Sequence, residues 1–154
     1  MKKIDIYFLI LLIILIINHK YNITIYNSNN YKTNSILNKK QSELFELTEL
    51  SIIIYLIIYS IFNFEYVNGF MFVVAFVQHI LQLLYCYRYE NQNKKISTII
   101  IYIVLVIYNT INKKVIFTIL WIFGIMMHLL AYYYNTRFMD VVCLSNYINI
   151  NLYK

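Results

Sequence analysis

The chain has no proline, and only two of its 154 residues are glycine, two are cysteine and 13% are charged. The low charge argues against an ordinary soluble domain, in which about a quarter of the residues are charged. The lack of proline and glycine argues against the broken helices of many transporters. Cys86 and Cys143 are far apart and have no metal-binding or redox spacing, so we predict two free, inert thiols. No nucleophile–base arrangement or phosphate-binding loop is present.

What the chain does contain is apolar, with 61% hydrophobic residues and a mean hydropathy of +0.61. A bilayer core is about 30 Å thick and needs about 20 helical residues to cross. Segments 44–62, 67–87 and 115–134 meet this length, whereas 96–111 and 6–17 are shorter. The pattern predicts an all-α, polytopic integral membrane protein with four to five transmembrane helices. Residues 1–134 form the transmembrane region, and 135–154 form an interfacial tail.

The first segment needs separate treatment, because Lys2 and Lys3 before an apolar run are also typical of a signal peptide. The polar residues after this run include no small-residue cleavage site. We interpret 6–17 as an uncleaved first helix, and whether it spans the membrane stays open, since Asp5 interrupts it.

The net charge of +6 is distributed between the apolar segments, where basic residues set membrane orientation. In a five-span arrangement four basic residues fall on one side: Lys2, Lys3, Lys113 and Lys114. Nine fall on the other side: Lys20, Lys32, Lys39, Lys40, Arg88, Lys94, Lys95, Arg137 and Lys154. This predicts a carboxyl terminus on the positive side of the membrane. Orientation explains the basic residues, so we predict no nucleic-acid partner.

The amino-acid usage indicates an extremely AT-rich genome. Ile, Asn, Tyr, Lys and Phe, which codons of A and U alone can encode, are 85 of the 154 residues. The bias runs through apolar segments and connections alike, so folding does not require it. In composition and segment pattern the chain resembles the fast-evolving, mitochondrially encoded membrane subunits of protists, most of which belong to respiratory-chain complexes. A membrane protein of an AT-rich bacterium or parasite is the alternative.

Residues 66–77, YVNGFMFVVAFV, resemble the third helix of the family of NADH dehydrogenase subunit 6, a respiratory complex I protein. Members of that family have five helices in a chain of similar size. Their third helix contains a π-bulge that is linked to the coupling function of the complex. The family's paired small residues correspond to Asn68 and Gly69, and the long connection 18–41 departs from its pattern.

We predict a loop over 18–41, after which Ser42 is a candidate N-cap of the second helix. The connection 63–66 is very short, so the second and third segments should be antiparallel neighbours. Tyrosines at the span ends are typical of an interfacial belt.

Glu43, Glu46 and Glu49 share one face of the second helix at three-residue spacing. The first interpretation is compensation of the helix dipole, with ion pairs to the lysines at 39–40 or to a neighbouring subunit. The second is a proton path, in which Glu49 lies furthest along the helix and Glu46 precedes it.

Polar and small residues recur at helical spacing in two segments. The third contains Ala75, Gln78, His79, Gln82 and Cys86, and the fifth contains Gly124, His128, Ala131 and Asn135. Because unpaired polar groups are costly in lipid, these stripes should face protein. His79 and His128 would lie at similar depth. Three roles stay open for them: interhelical hydrogen bonds, a bis-histidine haem b site, and a quinone or proton-relay contact.

The function that we predict is a structural or assembly membrane subunit of a mitochondrial respiratory-chain complex, either NADH dehydrogenase or cytochrome c oxidase. It would have no catalytic site, metal or cofactor of its own. Its partners would be other membrane subunits and bound phospholipid such as cardiolipin. The alternatives are a redox or proton-transfer subunit that uses His79 and His128, and a small transporter or channel.

Overall fold

The structure is a computed structural model that describes residues 2–20, 24–25, 36–85, 87–88, 92–134 and 142. These residues form five helices and one antiparallel pair of two-residue strands. The elements are α1 (Lys3–Lys20), β1 (Thr24–Ile25), α2 (Lys39–Phe62), α3 (Tyr66–Tyr85), β2 (Tyr87–Arg88), α4 (Gln92–Ile111) and α5 (Val115–Tyr133). The predicted helical class is confirmed. Both cysteines and the predicted interfacial tail, apart from Val142, lie outside the described residues.

Helix α2 begins earlier than its apolar segment suggests. Asn38 is the N-cap: its side chain accepts a hydrogen bond from the Gln41 amide at 2.9 Å, and Gln41 accepts one from the Asn38 amide at 3.2 Å. This reciprocal capping box satisfies two amide donors that the first turn would otherwise leave unpaired. The expectation that Ser42 caps this helix is therefore wrong, since Ser42 is buried one turn inside it.

Helices α2 and α3 form an antiparallel hairpin, as the short connection predicts. The turn includes Phe64 at φ 55° and is closed by a hydrogen bond from the Glu65 amide to the Ser60 carbonyl at 2.9 Å. Close to the turn Gly69 lies against Ser60, where a Cβ on Gly69 would be 3.0 Å from the Ser60 Cβ. Far from the turn, His79 of α3 bonds to side chains of the second and third turns of α2.

The chain divides into two compact units. The first comprises Met1–Ile23, Tyr66–Asn68 and Tyr89–Asn135, and the second comprises Thr24–Glu65, Gly69–Arg88 and Thr136–Lys154. The first unit thus contains α1, α4, α5 and the start of α3. The second contains α2, most of α3 and the strand pair.

In the first unit α1 runs antiparallel to α4. The Tyr108 hydroxyl donates to Asp5 at 2.7 Å near one end, and His19 hydrogen-bonds Ser97 near the other. The fourteen residues from Asp5 to His19 cover about 21 Å of helix. Helix α1 therefore follows α4 along most of its length, although its apolar segment is the shortest of the five.

Helices α4 and α5 are joined by a tight turn in which Lys113 has φ 57° and the Lys114 amide donates to the Asn109 carbonyl at 2.9 Å. Gly124 lets the Tyr102 ring approach α5, because a Cβ there would lie 3.0 Å from Cε2 of that ring. The Tyr102 ring also lies 5.4 Å from the Trp121 ring. The contact between α4 and α5 is thus filled by large side chains such as Tyr102 and Trp121. The absence of a side chain at Gly124 leaves room for the Tyr102 ring.

Two helices, Lys39–Phe62 and Tyr66–Leu84, are long and apolar enough to cross a membrane. Only 17% and 22% of their most apolar 18-residue stretches are buried. The core helix of a soluble protein passes the same length test, but it is mostly buried. Most residues of these two stretches are therefore at least partly exposed.

Candidate functional site

The second unit brings together three ionisable side chains from two helices, Glu46 and Glu49 of α2 and His79 of α3. The glutamates are three residues apart, so they lie on one helical face about one turn from each other. His79 Nδ1 lies 2.8 Å from Glu46 Oε1, and His79 Nε2 lies 3.2 Å from Glu49 Oε1. We call these three residues the Glu–His–Glu triad.

The triad runs from a buried end to a more exposed end. The Glu46 side chain is 4% exposed, that of His79 is 17% exposed and that of Glu49 is 33% exposed. Glu46 Oε2 is buried and has no hydrogen-bond partner among the residues that the structure describes. Glu46 is therefore the most buried carboxylate of the triad, although Glu49 lies further along α2. Glu46 is on the side of α2 that faces α3.

The hydrogen bond to Glu46 and the ion-pair contact with Glu49 bear on where the protons are. A neutral imidazole has one N–H, and an ionised carboxylate can only accept. Both ring nitrogens of His79 lie within 3.2 Å of a carboxyl oxygen, so a second proton in the triad would make both contacts favourable. That proton makes His79 an imidazolium between two carboxylates, or it makes one glutamate a neutral acid that donates to the ring.

The same three side chains bring possible metal-ligand atoms within 4.8 Å of one another. However, Glu46 bonds to one ring nitrogen of His79 and Glu49 bonds to the other. An ion that used both carboxylates and the ring would displace at least one of these bonds. The observed geometry suits proton sharing better than coordination of one ion.

His128 lies in the first unit and His79 in the second. His128 Nδ1 is 2.8 Å from the Gly124 carbonyl, and its ring contacts the Tyr102 ring edge-on with centroids 5.1 Å apart. Each histidine thus faces protein, as the stripes predict. A haem ligand needs a free imidazole lone pair, and His79 would have to release a carboxylate to provide one. The haem hypothesis therefore has no part in the function proposed below.

A second polar cluster lies in the first unit and joins three helices. Asn68 and Asn109 exchange side-chain hydrogen bonds of 2.8 and 2.9 Å, and the Trp121 indole donates to Asn68 Oδ1 at 3.0 Å. Both asparagines are fully buried. Asn109 lies near the end of its apolar segment, where an amide can reach the membrane interface, but the structure pairs it internally. An amide within an apolar run was the available signal, but its partner could not be read from the chain.

Asp5, which interrupts the first apolar segment, also has an internal partner. It accepts the Tyr108 hydroxyl at 2.7 Å and the Lys2 amide at 3.0 Å. The Lys114 ammonium lies 5.2 Å from the centre of the Tyr108 ring, within the range of a cation–π contact. These contacts fix the start of α1 beside the end of α4.

Among the described residues, Glu46 and Glu49 pair with His79, a partner that the spacing of the glutamates did not predict. The stripe on the third segment contains no carboxylate, and α2 supplies the two that it lacks. Comparison of the chain with family models, with curated proteins and with solved structures finds no match.

Proposed function

We propose that the chain is a multi-pass membrane protein that acts as a structural or assembly subunit of a mitochondrial respiratory-chain complex. The observation that supports this most directly is the outward-facing apolar surface of α2 and α3. Side chains of α2 and its turn that are at least 65% exposed include Leu44, Leu47, Tyr55, Ile61, Phe62 and Phe64. Patches of this kind mark surfaces that contact lipid or another protein.

A role within a larger assembly follows from the kind of side chains that are exposed. Helices associate in lipid through close backbone approach at small residues, and the chain has only two glycines and two alanines. Gly69 and Gly124 each serve a contact within one unit. The remaining apolar surface is mostly isoleucine, leucine and aromatic rings, which suit packing against other subunits and bound phospholipid such as cardiolipin.

The respiratory-chain assignment rests on the AT-rich composition together with the helical architecture. Hydrophobic, multi-span products of organellar genomes are mostly respiratory-chain subunits. NADH dehydrogenase and cytochrome c oxidase are the two complexes we propose, with the carboxyl terminus in the matrix.

Purification of the tagged chain from its own membranes in mild detergent tests the proposal. We expect it to resist alkaline carbonate extraction and to migrate on a native gel with one respiratory complex. Mass spectrometry of that band should identify the subunits of that complex, while a second respiratory complex from the same membranes serves as the internal control.

Two outcomes contradict different parts of the proposal. Release of the chain by carbonate would contradict a membrane-spanning protein. A stable detergent-solubilised monomer, free of any respiratory complex, would leave the membrane assignment intact and overturn the subunit assignment.

A further inference from the structure

We propose that the Glu–His–Glu triad is a proton-transfer site, in which one proton passes between Glu49 at the exposed end and Glu46 at the buried end through the His79 ring. This goes beyond a structural role for the chain, and it depends only on contacts within the second unit. The species that the triad would bind and transfer is a proton.

The arrangement of atoms supports transfer rather than a static ion pair. Each His79 nitrogen contacts a different carboxylate, at 2.8 Å to Glu46 and 3.2 Å to Glu49, so the ring lies between two groups that can each take a proton. These distances are those at which a side chain can donate or accept a proton directly. The exposure decreases in order from Glu49 through His79 to Glu46.

The buried end carries a further acceptor. Glu46 Oε2 is buried and has no hydrogen-bond partner among the described residues. A buried carboxylate oxygen without a donor is costly, and that cost falls when the carboxyl group is protonated. Glu46 is thus suited to receive a proton from His79 through Oε1 and to hold or release one through Oε2.

The transfer step balances without any other reactant. Glu49, as the acid, gives its proton to Nε2 while Nδ1 gives its proton to Glu46 Oε1. The ring remains neutral and changes tautomer, Glu49 becomes a carboxylate, and Glu46 becomes the acid. The reverse step restores the starting state; otherwise Glu46 must release its proton, Glu49 must take up another and the ring must turn or return to its first tautomer.

Helix α2 carries further charged side chains on the amino-terminal side of the triad. Glu43 precedes Glu46 by one turn and is half-buried, while Lys39 and Lys40 are exposed at the start of the helix. Helix α3 contributes no ionisable group other than His79 and its terminal tyrosines. The side chains of the strand pair, which includes Arg88, lie outside the described residues.

The triad lies towards one end of the hairpin. Helix α2 is 24 residues long, which is about 36 Å, and Glu46 is about 10 Å from its start. Glu49 is the more exposed member of the triad, and a proton would leave the hairpin through it.

Nuclear magnetic resonance of the full chain in detergent, labelled with ¹⁵N at histidine, tests the proposal. The chain has three histidines, so His79→Gln identifies the signals of His79. We expect Glu46→Gln to change chiefly the Nδ1 signal and Glu49→Gln to change chiefly the Nε2 signal. The matched control is Glu43→Gln, which makes the same charge change one turn away and should leave both signals unchanged.

Exchange with D₂O separates transfer from a static pair. In the wild type the Nδ1 proton should exchange through Glu49, and Glu49→Gln should slow it by about a hundredfold, the scale of a positioned acid–base group. An Nδ1 proton that exchanges equally fast in Glu49→Gln would overturn the proposal.

Two further tests use only the wild-type protein, so they do not depend on whether a variant folds. A His79 Nδ1 proton that persists longer than the backbone amides of α2 would show a static pair and overturn the proposal. Selective broadening of the His79 signals by one equivalent of Mn²⁺ would also overturn it, because the triad would then be a cation site.

Discussion

Individual buried polar residues determine which helix faces meet in each unit. In the first unit the amides of Asn68 and Asn109 satisfy each other and the Trp121 indole. In the second unit the triad links α2 to α3. An apolar contact can slide along a helix, but a hydrogen bond between buried groups fixes both its partners and their register, because breaking it leaves a polar atom unsatisfied. The polar residues therefore specify the pairing that the apolar residues only favour.

Asn68→Ala should destabilise the chain, because it removes the donor to Asn109 Oδ1 and the acceptor of the Trp121 indole N–H. The expected loss is about 1–3 kcal/mol in free energy of unfolding, measured by thermal or denaturant unfolding in detergent. Asn63→Ala is the control, since Asn63 is exposed at the end of α2, where its side chain donates to the Tyr59 carbonyl at 2.8 Å. Equal stability of the two variants would contradict the role of the buried amide pair.

Tyr108→Phe should also be destabilising, because Asp5 would lose a hydroxyl donor while it remains 9% exposed. Loss of a hydrogen bond to a charged group costs about 1.5–3 kcal/mol. The matched substitution Tyr55→Phe removes a hydroxyl from a ring that is 65% exposed and should change stability little. The same unfolding measurement compares the two, and a larger effect at Tyr55 would refute the assignment.

At the scale of helices, the two hairpins use glycine for close approach at one point each, and large side chains elsewhere. Gly69 meets Ser60 of α2, and Gly124 meets the Tyr102 ring of α4. The chain contains only these two glycines, and each marks a point of close contact between the helices of its hairpin.

Gly69→Leu should separate α2 from α3, because a Cβ at Gly69 already lies 3.0 Å from the Ser60 Cβ and the rest of the leucine has no space towards α2. Overpacking of this kind costs about 1–3 kcal/mol. Val77→Leu enlarges a side chain that is 49% exposed on the same helix and should be tolerated. If Gly69→Leu unfolds at the same denaturant concentration as Val77→Leu, the proposed close approach is wrong.

Ile54→Lys tests whether α2 crosses a bilayer. Ile54 is near the middle of the apolar segment and is 45% exposed, so a lysine there would face lipid and reduce insertion by about 2.5–3.5 kcal/mol. Phe64→Lys places the same charge in the turn, at a side chain that is 73% exposed, and should leave insertion unchanged. A glycosylation-based insertion assay in microsomes measures both, and equal insertion would argue that α2 does not span.

At the scale of the whole molecule, the number of spans decides on which side each terminus lies. The first apolar segment left this open, because 12 residues are too few to cross. In the structure α1 extends over 18 residues and follows α4 from Asp5 to His19. A helix that accompanies α4 in this way is expected to cross with it, which gives five spans and termini on opposite sides.

Protease protection of tags at the two termini tests this topology. In mitochondria stripped of their outer membrane, an amino-terminal tag should be digested and a carboxyl-terminal tag protected. If both tags are protected from the protease, α1 does not cross the membrane. The amino terminus would then lie on the same side as the carboxyl terminus.

The sequence by itself determined the helical class, the position of the apolar segments and the hairpin of α2 and α3, since these depend on local hydrophobicity and on the length of the connections. It located the start of α2 wrongly, because Asn38 and Ser42 are both good caps and only the reciprocal bond with Gln41 distinguishes them. Composition also supplied the grounds for an organellar origin.

Only the tertiary structure decided which polar residues meet. Glu46, Glu49 and His79 appeared in the sequence as separate features of two helices, because their separation along the chain is about 30 residues and no local pattern encodes rotation of one helix about another. Packing sets that rotation. The sequence indicated Glu49 and a pair of histidines as candidate site residues. The packing of α2 against α3 instead forms a triad of Glu46, Glu49 and His79, in which Glu46 is the most buried.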